Sequence, residues 1–134
     1  MKTTLTTILI MLTVSAYTQP LMLGFRKSDV ISNMHCYPEY KQTVKALDYL
    51  EYQKSDRAYG FRFEPDTLNL YYGRWICSEF YVTMPADQET EYFAKLDCLT
   101  QIGADRWQWV NDYDTVLITV KRYAETVTII YKSE

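Results

Sequence analysis

The chain has 134 residues, of which 48% are hydrophobic and 23% charged, and a formal net charge of -3. This composition is that of one folded domain and excludes a disordered or low-complexity chain. The acidic balance argues against binding to nucleic-acid backbones, which takes clustered Lys and Arg.

Residues 1–19 read as a secretory signal peptide. Lys2 gives a minimal basic start, Leu5 to Val14 an apolar run of about ten residues, and Val14-Ser15-Ala16 a small-residue cleavage pattern. A cut after Ala16 or after Gln19 leaves a single small α+β domain over 20–134. The apolar run is well short of the ~20 residues of a membrane helix. The expectation is an exported protein, periplasmic or extracellular, with no stable membrane span after cleavage.

A first helix is expected from Ser28 as N-cap, with Asp29 in its first turn and Val30, Ile31, Met34 and Tyr37 as its apolar stripe. Pro38 ends it, and Pro38 to Ala46 suits at most another turn of helix. The period then changes to two. Tyr49–Tyr52, Tyr59–Phe63, Leu68–Tyr72 and Trp75–Met84 read as four strands, separated by polar or Gly/Pro turns. Pro85 to Gly103 reads as a second, longer helix. Asp87 is its cap and Tyr92, Phe93, Leu96, Leu99 and Ile102 its stripe, which leaves Cys98 away from the core. Three strands follow, around Trp107–Val110, Val116–Val120 and Val127–Tyr131. The short connections require an antiparallel meander. The expected fold is a two-layer α+β sandwich, with six or seven strands in one sheet, two helices on one face, and the order α-β4-α-β3.

Three cysteines, Cys36, Cys77 and Cys98, allow one disulfide of undetermined pairing and leave at least one thiol over. Their spacing matches no zinc site. His35 is the only histidine, so a Ser/His or Cys/His nucleophile has a single candidate base. No Gly-rich phosphate loop is present. Asp112 and Asp114 flank Tyr113 in what reads as a solvated turn rather than a calcium loop. Glu89 and Glu91 face apart on a helix, and Glu64 and Asp66 bracket a proline turn. No metal or other cofactor is expected.

The enriched residue is tyrosine, with 13 copies beside three Trp. Small cores use aromatics as filling, but Trp75 and Tyr81 share one face of a strand, and Trp107 and Trp109 sit at i and i+2. These four are the candidate ligand-binding residues, on an aromatic sheet face left open by the helices.

Gly24-Phe25-Arg26-Lys27-Ser28-Asp29-Val30 resembles the helix openings of small exported α+β modules of the outer-membrane assembly lipoprotein type, which share a helix-then-meander order. The lipid-anchoring Cys of that family is absent, and no functional residue carries over. The functional expectation is a non-enzymatic exported binding or interaction module for a protein or small extracellular ligand. The alternatives are a small carboxylate-based hydrolase and a self-associating envelope structural protein.

Overall fold

A computed structural model describes residues 20–66, 74–96, 99–110 and 114–133. Within them, helix α1 (Lys27–His35) leads into strands β1 (Lys41–Lys45), β2 (Tyr49–Lys54), β3 (Arg57–Pro65) and β4 (Trp75–Pro85). A 3₁₀ turn (Ala86–Gln88) and helix α2 (Glu89–Ala94) connect to β5 (Leu99–Gly103), β6 (Arg106–Val110), β7 (Thr115–Arg122) and β8 (Thr126–Ser133). The strands form one antiparallel sheet in the order β1-β2-β3-β4-β8-β7-β6-β5. Two four-stranded meanders are thus joined through β4 and β8, with Phe80 opposite Tyr131 and Val82 opposite Ile129.

Alternation decides which face is buried. Leu50, Phe61, Phe80, Val82, Ile118, Val127, Ile129 and Tyr131 belong to one core cluster, together with Val30 and Met34 of α1 and Tyr92 of α2. The segment Pro20–Phe25, which turns at Leu23–Gly24, completes that core. Leu21 and Met22 are buried, and Gly24 and Phe25 exchange backbone hydrogen bonds of 2.8 Å with Cys77. Gly24 has φ +83, a conformation that suits glycine at this bend. Most of the buried tyrosines are core filling. Tyr40 meets Tyr59 edge-on at 5.3 Å, Tyr59 stacks on Phe80 at 6.2 Å, and Phe80 tilts against Tyr131 at 5.6 Å.

Four expectations change. The sheet has eight strands, and both helices are short. Lys41–Lys45 is an edge strand although its side chains are all exposed, because β2 supplies its hydrogen bonds. The Pro85–Gly103 helix stops at Ala94, and Leu99–Gly103 pairs with β6 instead. Leu99 and Ile102 do not share a stripe: Leu99 packs on the core, whereas Ile102 is 46% exposed. Ser28 lies inside α1, whose N-cap is Arg26 with no side-chain capping bond. Arg26 is held extended by a β-bridge to Ile76, so tertiary pairing sets the helix start. The expected strand over Leu68–Tyr72 lies outside the described residues, as do residues 1–19 and Cys98.

Candidate functional site

The face of the sheet away from the helices carries the alternate residues of each strand. A bulge controls which residues of β4 reach it. Arg62 is opposite Glu79 but Phe63 is opposite Cys77, so Ser78 is the extra residue. Glu79, Tyr81 and Thr83 therefore face out, whereas Cys77, two positions before Glu79, is buried in the core. Burial pushes the Cys77 thiol up to about 12. Cys36, at the C-terminal end of α1, is exposed, and both thiols are free.

The bulge also relocates Trp75, which packs against the core cluster. Trp109 is buried, and Trp107 packs on the core side with its ring stacked on Phe93 at 4.7 Å. Of the four residues expected on the open face, only Tyr81 is there. The two Trp residues of β6 do share a face, but it is the one that the helices cover.

Tyr81 instead belongs to a polar constellation. Arg62 Nε donates to the Tyr81 hydroxyl at 3.0 Å, and that hydroxyl donates to Glu79 Oε2 at 2.8 Å. Tyr49 tilts against the Tyr81 ring at 6.3 Å and donates to Glu51 Oε1 at 3.1 Å. Glu51 is held on its other oxygen by Thr43 Oγ1 at 2.9 Å. Burial, and then the neighbouring carboxylates, push both phenols above their ordinary range, so both stay protonated donors at neutral pH. Tyr49, which pairs with Arg62, has room to lean diagonally across β3 because the residue opposite Glu51 is Gly60. A Cβ on Gly60 would approach two ring carbons of Tyr49 to 2.9 Å.

Beside this wall is an open groove of ≈ 380 Å³ lined by Tyr49, Arg62, Tyr81, Thr83, Lys121, Tyr123, Thr128 and Ile130. Thr83 and Thr128 face each other across the β4–β8 junction, their hydroxyls 3.0 Å apart, and make the floor. Lys121, near the end of β7, and Tyr123, just after it, form the far wall. The two charged residues of the lining are both cations. Lys121 has no partner among the described residues; Arg62 hydrogen-bonds to Tyr81, and the Glu79 and Asp48 carboxylates lie near enough to favour its charge.

The carboxylates weighed from sequence are elsewhere. Asp114 accepts from the Thr115 amide at 2.8 Å and from Ser133 Oγ at 2.9 Å, which is a turn bond at the sheet end. Asp112 lies outside the described residues. Glu89 forms a two-point ion pair with Arg122, at 2.9 and 2.7 Å, and Glu91 is 3.2 Å from Lys95. A second depression, with Asp56, Arg57, Gln88 and Glu91 in its lining, lies at the β2–β3 turn, where Gln88 Nε2 donates to Asp56 at 2.5 Å. Among the described residues no His/Cys/Asp/Glu cluster could hold a metal ion.

Sequence reasoning missed Arg62, Lys121, Tyr49 and Tyr123. Arg62 and Tyr49 occupy the polar and the aromatic positions of alternating strands, a signal open to reading. Lys121 and Tyr123 reach the site only because β8 inserts beside β4. No protein-family model, curated protein or solved structure matches this chain.

Proposed function

We propose that this chain is a small exported binding module that takes its ligand in the groove of the open sheet face. The observation that carries the reading is the groove itself. Aromatic side chains and two cations converge over a floor of paired threonine hydroxyls, on a face that the helices leave uncovered. Pockets of this kind combine an apolar contact area with a few oriented polar groups. The lining has no carboxylate, so the carboxylate pair that the hydrolase alternative needs is not in this groove. Self-association through a sheet edge is opposed by both edges. Strand β1 carries Lys41, Lys45 and a bulge, and β5 carries a bulge at Gln101/Gly103.

The test is a ligand-observed NMR screen of small organic acids, sugars and aromatic compounds against the wild type and Thr128→Trp, whose indole would fill the groove floor. Binding that disappears in Thr128→Trp supports the reading. Hits retained by the variant, or a dimer in sedimentation that the variant abolishes, count against it. Export is part of the same proposal. The buried segment Pro20–Phe25 would survive a cut after Ala16 or Gln19. The intact mass in fractionated cells should lack residues 1–16 or 1–19, and a full-length cytosolic product would overturn export.

A further inference from the structure

We infer that the groove on the open face selects an organic anion: a small ring-bearing molecule with a carboxylate, sulfonate or phosphate group seated on Arg62. The inference rests on the proposed binding role and adds the chemistry of the ligand.

Hydrogen-bonding capacity is the first argument. The nearest carboxylates stand outside the groove lining: Glu79 takes the Tyr81 hydroxyl on one oxygen, and Glu51 takes those of Tyr49 and Thr43 on its two. What is left is mostly donors. Arg62 commits only Nε, so its two terminal nitrogens point no hydrogen bond at any described residue. Lys121 keeps three N–H donors. Of the two threonine hydroxyls on the floor, one donates to the other and the second keeps its own hydrogen. A site rich in free donors and poor in free acceptors suits a ligand made of acceptors. A neutral sugar needs both kinds.

Preorganisation is the second argument. The Arg62→Tyr81→Glu79 chain fixes the guanidinium by its Nε edge and leaves the terminal fork for a two-point contact with an oxyanion. Fixing the side chain beforehand lowers the ordering cost of binding. The third argument is layout. Arg62 on β3 and Lys121 on β7 are three strand spacings apart, roughly 14 Å at the backbone. An anion on Arg62 therefore leaves the span between the walls for an apolar body against Tyr81, Ile130 and Tyr123, with Lys121 adding attraction from the other side. The cationic lining is local, since the chain as a whole is acidic.

The experiment uses two fluorescent probes with the same rings: anilinonaphthalene sulfonate and its uncharged parent, phenylnaphthylamine. The sulfonate should bind at least about tenfold more tightly. Arg62→Ala should bring the two probes close to parity, Arg62→Lys should restore only part of the difference, and Lys121→Ala should weaken the sulfonate about threefold. Thr128→Trp should abolish both. Amide chemical shifts of the wild type, which need no variant, should move at Arg62, Tyr81, Thr128 and Lys121 when the sulfonate is added. Equal affinity for both probes, lost for both in Thr128→Trp, overturns the anion inference and leaves the groove as a binding site. Binding that survives Thr128→Trp, shifts confined to other residues, or no binding of either probe overturns both readings.

Discussion

Gly60 and Tyr49 show how one residue's missing side chain shapes the groove. A glycine in the middle of a strand normally costs stability, and replacing it with alanine is worth roughly 0.5–1 kcal/mol where the backbone permits. Here the space above Gly60 is filled by the Tyr49 ring. Gly60→Ala should therefore destabilise the protein by about 1–3 kcal/mol, as overpacking does, and displace Tyr49 from Glu51. In a Tyr49→Ala background the collision is gone, and the same substitution should become neutral or mildly stabilising. Urea unfolding of the four proteins of this cycle gives the coupling. A Gly60→Ala cost that is unchanged without Tyr49 would show that the ring is not what demands glycine.

Between elements, the firmest tie of α2 to the sheet is polar at its centre. The hydroxyls of Tyr92 on α2 and Tyr131 on β8 are hydrogen-bonded to each other in the core. Around them Phe93 stacks on Trp107, and Arg122 bridges to Glu89 and Asp105. The Arg122 ion pairs are solvent-screened and contribute little. The buried bond matters more. Tyr92→Phe and Tyr131→Phe should each cost about 1–3 kcal/mol, and the double variant distinctly less than the sum, because both remove the same bond. Strict additivity in thermal or urea unfolding would exclude it.

The strands that were legible in the sequence are those in which apolar and polar residues alternate: β2, β3, β4, β6, β7 and β8. Strand β5 was not, since Leu96, Leu99 and Ile102 fit helical spacing as well as a strand that owes its existence to β6. Strand β1 has no buried side chain to announce it. The bulge at Ser78 leaves no mark in the pattern either, and this single extra residue turned Trp75 and Cys77 from the open face to the core. For the candidate site, Tyr81 and Glu79 follow from alternation alone. Lys121 and Tyr123 depend on the pairing of β4 with β8, a contact between residues about fifty positions apart that no local signal encodes.

At the scale of the whole molecule, the tyrosine-rich composition ties stability to alkaline pH. Tyr40, Tyr49, Tyr52, Tyr59 and Tyr81 all have hydroxyls shifted upward, with burial the leading cause in each. The Cys77 thiol moves the same way, from 9.0 to about 12. Each is an acid that keeps its proton longer in the folded state than in the unfolded one. Their stabilising contribution is complete below the unfolded pKa, and it is lost as pH rises from there toward the folded value. In that window the unfolded chain has released the proton and the native chain has not, so each fully buried group lowers stability by about 1.4 kcal/mol per pH unit. The half-exposed phenols count for less, because solvent screens them. Stability should accordingly be level from pH 7 to about 9 and fall steeply above it, first through Cys77 and then, near 10, through the tyrosines. Urea midpoints across this range measure the slope. Cys77→Ala should flatten the segment between pH 9 and 10 and leave the steeper fall above it. Tyrosinate absorbance should lag in the native protein and appear together with unfolding. A stability profile level to pH 11 would mean that these hydroxyls are far more open to water than their packing implies.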